Sequence, residues 1–332
     1  MFSNYIRYRY ISRYIWILLM ILILLSMKFR CRRVVLKSNE QFDDYEIPNI
    51  VHFITGQGDA SDSILDRYGP RLVHRRLERA TNEFRLIDYL VLLAVRKHLR
   101  PKQIFIHYSY EPHGYWWLKL KHDTELNINF NRLSPIESIF NHPLLHHAHR
   151  TDVRRLEILN QYGGIYLDLD VLILKSFARL LKNANQVEAI FAWESQVHQA
   201  VSNAIILAPK SSKFLRRMYD SYQSFNSSCW ACHSILLLGQ LVRVYSQEID
   251  VLPSNSFVEP SWSHVEDLYL RNNYEFDGNY GCHLWNSYVG EMFLKNLTLN
   301  AIVNPQRMTT FVRMIHHAVG KDRLTKLLEE NF

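Results

Sequence analysis

Residues 147–174 leave this chain few ways to fold. From about His146 to Tyr162 the pattern is helical: at about 100° per residue, Leu156, Leu159 and Tyr162 share one side while Arg154, Glu157 and Gln161 share the other. Gly163-Gly164 follows, and a residue without a Cβ is what a helix end needs to turn back on itself. Then Ile165-Tyr-Leu-Asp-Leu-Asp-Val-Leu-Ile-Leu174 reads as a buried strand carrying two acids. A helix delivered directly into a buried strand implies an α/β fold with a mainly parallel sheet flanked by helices.

Other segments fit that frame. Ile47 to Ile54 reads as a first buried strand opening into the loop Thr55-Gly-Gln-Gly58, and Gln103 to His107 as a second, with a helical pattern from Phe84 to Lys97 between them. Ala189 to Trp193 and Ala204 to Leu207 are further expected strands. Ser211 to Tyr222, Ile235 to Tyr245 and the last thirty residues are expected helices. No internal repeat is present, and 47–332 is expected to be one large domain.

Charge is distributed unevenly. The whole chain is +7, but residues 1–37 hold eight basic groups and no acid, so the remainder is close to neutral at −1. A neutral body without a basic stripe argues against nucleic acid as the partner. Within the basic region, Tyr14 to Met27 is an apolar run that carries no charge. Fourteen residues rise about 21 Å as a helix, short of a full bilayer core, and snorkelling of Arg13, Lys28 and Arg30 would close the gap. No small-x-small cleavage site follows. The expected layout is a tail at 1–13, a transmembrane signal-anchor helix at 14–29, a stem at 30–46 and a catalytic domain at 47–332. More positive charge follows the apolar run than precedes it, which by the positive-inside rule would leave the body in the cytosol. The sequons at Asn226 and Asn296 point to the lumen instead.

The acids carry the chemistry. On an extended segment Asp168 and Asp170 point to the same side, and two buried like charges require something positive nearby. A divalent cation with oxygen ligands at the end of a parallel strand meets that requirement; the bland alternative is that both acids face water. The helical wheel also sets Asp152 and Arg155 on the inward side, either as a structural ion pair or as a holder of a polar ligand.

The segment His147 to Lys175 resembles the sugar-binding region with a DXD motif found in glycosyltransferase family 32. That family includes α-1,4-galactosyl- and N-acetylglucosaminyltransferases, yeast-type initiating mannosyltransferases and, more distantly, large bacterial glucosylating toxins. Ile47-Pro-Asn-Ile-Val-His52 is similar to its opening strand and Cys282-His-Leu-Trp-Asn286 to its late His-x-Trp element, so the resemblance spans residues 47–290. It implies a GT-A-like fold, a nucleotide-sugar donor, Mn²⁺ with Mg²⁺ as the alternative, retention of anomeric configuration, and a glycan or glycolipid acceptor. It also implies a single-pass type II protein of the Golgi membrane, or else of the endoplasmic reticulum, with a lumenal catalytic domain.

By position, Asp170 would be the direct metal ligand, with Asp168 reaching metal or ribose and His283 a third ligand or a neighbour packed on Trp285. Asp152 and Arg155 would contact donor sugar and ribose, Tyr166 would line the nucleotide pocket, and Phe53 would meet the base. Asn203 would lie near the donor or simply shape a strand-end turn. One departure stands out: galactosyltransferase relatives have a Trp-Gly pair and Gly-Pro loop near the acceptor, where this chain has Cys229-Trp-Ala-Cys-His-Ser-Ile. A catalytically inactive sugar-nucleotide-binding relative is therefore one alternative. A haloacid-dehalogenase-type phosphatase is another, but beyond Asp170 the aspartates are isolated and the acidic pair such enzymes need is missing. Cys229 and Cys232 have redox-motif spacing without the second pair a zinc site requires, so a local disulfide or free thiols are expected.

Overall fold

Why the double glycine is needed becomes plain where the 147–162 helix meets the sheet. In a computed structural model that describes residues 47–58, 82–184, 187–195 and 200–330, the helix is His147–Tyr162 and Gly163 and Gly164 take φ of +66° and +106°. A Cβ on Gly163 would lie 2.5 Å from the Lys210 nitrogen, and one on Gly164 2.6 Å from Ile50 Cγ1. Any side chain here would hold the following strand away from its neighbours.

The strands in chain order are β1 Ile50–Thr55, β2 Gln103–Tyr108, β3 Ile128–Arg132, β4 Ser138–Ile139, β5 His142–Pro143, β6 Gly164–Leu167, β7 Val171–Ile173, β8 Ala189–Ser195, β9 Ala200–Ala208, β10 Ile249–Leu252 and β11 Gly281–His283. Seven of them form the main sheet in the order β10-β8-β9-β6-β1-β2-β3. Pairing is parallel except at β9, which runs against both β6 and β8. The mainly parallel α/β sheet expected from the sequence is thus present, within the compact unit Asp44–Phe332. The proposed tail, anchor and stem lie outside the described residues, among which no helix is long and apolar enough to cross a membrane.

Strand alternation sends side chains into two cores. Val51, Phe53, Ile165, Leu167, Ile205 and Leu207 face one, with the Leu86–Leu99 and Thr310–Val319 helices. Ile54, Tyr166, Ile206 and Ala208 face the other, with Leu156 and Leu159 of the His147–Tyr162 helix and Phe214 of the Lys213–Asp220 helix. Each fully buried Leu, Ile or Phe contributes about 1.5–3 kcal/mol.

Three polar side chains are tied together across β1, β2 and β3. His52 Nε2 bonds to the Gly163 carbonyl at 3.0 Å, His52 Nδ1 meets His107 Nε2 at 3.1 Å, and Asn131 Nδ2 meets His107 Nδ1 at 3.0 Å. A carbonyl only accepts, so the His52 proton is on Nε2, His107 must donate from Nε2, and its Nδ1 accepts from Asn131. Both imidazoles are fully buried, and burial holds His52 down at about 4 and His107 at about 3. They are neutral structural groups, locked in one tautomer each, that fasten the helix end to the sheet.

Candidate active site

The run 165–174 is not one strand. β6 ends at Leu167, and Asp168 to Asp170 form a turn in which Val171 N donates to the Asp168 carbonyl at 3.0 Å. β7 then leaves the main sheet and pairs antiparallel with β11, placing His283 opposite Val171. The extended-strand geometry expected for the two acids is corrected accordingly: they converge because the chain turns. That register also explains how a histidine more than a hundred residues later reaches them, since Leu284 N donates to the Asp170 carbonyl at 2.8 Å.

Ligand atoms of Asp168, Asp170 and His283 lie within 4.8 Å of one another. His283 Nε2 is 3.2 Å from Asp170 Oδ2, which also accepts from Asn286 N at 2.8 Å. That backbone donor is aimed by Trp285, whose φ of +55° is unusual for a bulky residue and costs roughly 1 kcal/mol or more. The His283 ring also packs on Trp285 at 4.1 Å between centroids, so packing and proximity to the acids coexist.

Asp168 has different company. Arg155 Nη1 lies 3.3 Å from Asp168 Oδ1, and Tyr166 donates its hydroxyl to the same oxygen at 2.5 Å. Arg155 Nη2 is 3.1 Å from Asp152 Oδ1, and Nη1 donates to the Asn203 carbonyl at 2.6 Å. Asn203 Nδ2 closes the ring by donating to Asp152 Oδ1 at 2.8 Å, and the guanidinium stacks over Tyr166 at 4.5 Å. The inward placement of Asp152 and Arg155 is as the wheel indicates. Part of the positive charge that the two acids require comes from the protein itself, since Arg155 pairs with Asp168.

The protonation directions follow from these partners. Burial raises Asp168, and Arg155 only partly opposes it. For Asp170 burial acts upward, but His283 and the Asn286 N–H outweigh it and hold the carboxyl low. Burial acts downward on His283, but Asp170, Asp168 and Glu194 outweigh it and the imidazole is raised.

These groups open on a cleft of about 1030 Å³ lined by the β1 exit Ile54 to Gly58, by His147, Asp152, Arg155, Asn203 and Glu194, and by Trp262 and the 285–288 segment. Two expected donor contacts fall elsewhere. Phe53 is fully buried in the core because its strand position faces the opposite side from Ile54, and Tyr166 is also buried, reaching the site only through its hydroxyl on Asp168. Glu194 was missed by the sequence reading although the signal was available, since an acid stood at the end of an expected strand just as Asp168 does. Burial raises its carboxyl, with His283 opposing. Asn286 could not have been found, because it acts through its backbone.

Two carboxylates and an imidazole are a donor set that suits Mn²⁺ over Mg²⁺. His283 Nδ1 is buried with no hydrogen-bond partner among the described residues, so the residues present fit a dication. Cys229 and Cys232 form a disulfide, and Cys282 is a buried free thiol. The aspartate at 168, shared between Arg155 and Tyr166, is not presented as the free nucleophile a phosphatase of the dehalogenase type would need.

Residues 102–188 match the glycosyltransferase sugar-binding region containing a DXD motif. The chain is 30% identical over 245 residues to glucan organizing enzyme 1 of Cryptococcus neoformans var. grubii, covering 70% of this chain and 65% of the relative, and 31% identical over 120 residues to an uncharacterized protein of Arabidopsis thaliana, covering 33% and 18%. It therefore spans about two thirds of one curated relative and under a fifth of the other. Among solved structures, the glycosyltransferase GlyE of Streptococcus pneumoniae is 8% identical with a TM-score of 0.43, covering 86% of this chain and 64% of that one. The PaToxG glycosyltransferase is 15% identical with a TM-score of 0.40, covering 61% and 72%. Both likenesses are too remote to argue from.

Proposed function

From a chain that carries the DXD-containing sugar-binding region of glycosyltransferases, we propose a Mn²⁺-dependent, retaining transferase with a GT-A-like fold. It moves a hexose or N-acetylhexosamine from a UDP-sugar to a glycan or glycolipid hydroxyl. The observation that carries this reading is the convergence of Asp168, Asp170 and His283 beside the Asp152–Arg155–Asn203 ring in one cleft. The name of the glucan organizing relative puts glucan among the acceptors to try first.

Asp168, Asp170 and His283 would hold the dication, which when bound offsets charge developing on the departing β-phosphate. The rest falls to the chain's own groups. Arg155 bridges Asp152 and Asp168 and fixes both carboxylates, while Asn203 donates to the same Asp152 oxygen. Those two bonds occupy Asp152 Oδ1, leaving Oδ2 to accept from a donor-sugar hydroxyl. Asn286 N–H orients Asp170 without adding charge. The β1 exit loop, anchored where Arg150 donates to the Gln57 carbonyl at 2.8 Å, borders the space for ribose and base.

Lumenal Golgi placement through the 14–29 anchor belongs to the same reading. It rests on the apolar run and on the two sequon asparagines, which are both exposed. Glycosidase sensitivity of the expressed full chain, lost in the double N226Q/N296Q variant, tests it.

The direct test of activity is hydrolysis of UDP-glucose, UDP-galactose and UDP-N-acetylglucosamine by the purified protein with Mn²⁺. Chelation and Asp170→Ala should each abolish it. Turnover that survives both would remove the basis of the reading.

A further inference from the structure

Trp262 and Tyr288 stand next to each other on the cleft wall with 48% and 46% of their surfaces open. Their rings meet nearly edge to face, 6.1 Å between centroids at 75°. Single exposed aromatics are ordinary. Two from separate segments, paired inside a cleft that already holds the Asp168–Asp170–His283 group, are not explained by packing.

The wall is built rather than incidental. Tyr288 sits in the first turn of the Asn286–Phe293 helix, two residues beyond the backbone donor to Asp170. Trp262 opens the short Trp262–His264 turn. The two segments are joined where the Trp285 indole donates to the Pro260 carbonyl at 2.8 Å. Polar groups share the wall, with Asn286 and Ser287 in the same lining. Asn286 Oδ1 is occupied by Arg85 at 2.8 Å, which fixes that edge in place.

Resting on the transferase reading, we propose that Trp262 and Tyr288 form the acceptor platform, and that the acceptor group seated there is a pyranose ring. A pyranose has an apolar C–H face and a rim of hydroxyls, which matches an aromatic surface bordered by hydrogen-bonding side chains. An acyl chain would call for continuous apolar surface, and here the aromatic pair is flanked by Glu291 and Lys295 in the lining. On the transferase reading the donor's diphosphate faces the dication that Asp168, Asp170 and His283 would hold, and its sugar faces Asp152, which Asn203 positions. Trp262 and Tyr288 line the same cleft as these groups without belonging to them, so an acceptor seated on the pair shares the cleft with the donor. The pair adds a second aromatic surface to the cleft beside Trp230 of the Cys229–Cys232 loop, which is also exposed in the lining.

The experiment compares wild type with Trp262→Ala, Tyr288→Ala, the double variant and Trp262→Phe, using UDP-sugar with methyl β-D-glucopyranoside, lactose, cellobiose and laminaribiose as acceptors. The ratio of transfer to donor hydrolysis should fall about tenfold or more in the double variant, through acceptor KM rather than kcat, with Trp262→Phe restoring most of it. An unchanged acceptor KM, or a loss confined to donor KM, overturns the platform. Saccharide binding without donor, followed by isothermal titration calorimetry, tests it separately from catalysis. Wild-type binding at millimolar saccharide that the double variant lacks supports the platform even if no UDP-sugar is hydrolysed, in which case the transferase reading alone fails. Absence of any saccharide response in wild type overturns it.

Discussion

Lowering the pH from 7 to 5 should weaken this protein through His52 and His107. Both are lowered in the folded state, to about 4 and about 3, from an ordinary value of 6.5. The unfolded chain therefore binds protons that the folded chain refuses. Their contribution is fully present above about pH 6.5 and is lost as pH falls toward the folded values. At pH 5 each unfolded imidazole is almost fully protonated and each folded one almost neutral, which costs about 2 kcal/mol per histidine and about 4 kcal/mol for the pair. Against a total stability of about 5–15 kcal/mol that loss is large. Urea unfolding at pH 7 and pH 5 measures it, and comparison with His107→Asn separates this pair from the chain's other histidines. The variant should start less stable and lose about 2 kcal/mol less on acidification. Equal losses in wild type and variant would show that the pair is not held neutral, and the tautomer assignment from the Gly163 carbonyl would fall with it.

Three substitutions probe the site and its support. Arg155→Ala strips the cation from two carboxylates and should cost about 3–5 kcal/mol in urea midpoint stability as well as donor hydrolysis; a loss under 1 kcal/mol would mean that the ring is decorative. Tyr166→Phe removes the hydroxyl bond to Asp168, so the Mn²⁺ concentration for half-maximal hydrolysis should rise several-fold, with about 1–3 kcal/mol lost in unfolding. Gly164→Ala forces a Cβ to 2.6 Å from Ile50 Cγ1 at φ +106°. Its thermal midpoint should drop by the equivalent of about 1–3 kcal/mol, and a wild-type midpoint would contradict the close approach of β6 to β1.

The helix, the glycine pair and the sheet class were legible because each depends on short-range pattern. Periodicity set Asp152 and Arg155 inward, and two residues without Cβ atoms marked the turn between helix and β6. What escaped depends on distant partners. The run 165–174 is apolar from end to end apart from its acids, and nothing local says that β7 abandons the main sheet for β11. Phe53 and Ile54 are adjacent and both apolar, so only the strand's facing decides which borders the cleft. Asn286 contributes a backbone N–H, which no side-chain pattern encodes. Glu194 stands alone near the end of an apolar strand, a weaker signal than the paired acids at 168 and 170.

The electrostatics of the cleft also divide the two aspartates between two tasks. Asp168 is bound from behind by Arg155 and Tyr166, groups that are themselves buried and cannot leave. Asp170 is held by a backbone N–H and by His283, whose ring can give up a proton. The carboxyl groups of Asp152, Asp168 and Asp170 outnumber the one guanidinium, Arg155, and the one imidazole, His283, set against them, so an excess of acidic groups is left that a dication can offset. A protein that needed only internal stability would have completed the neutralisation with a second arginine, since leaving like charges together is costly. Leaving it incomplete on the side of Asp170 and His283, the side without a fixed guanidinium, reserves the remaining charge for something that arrives from solution.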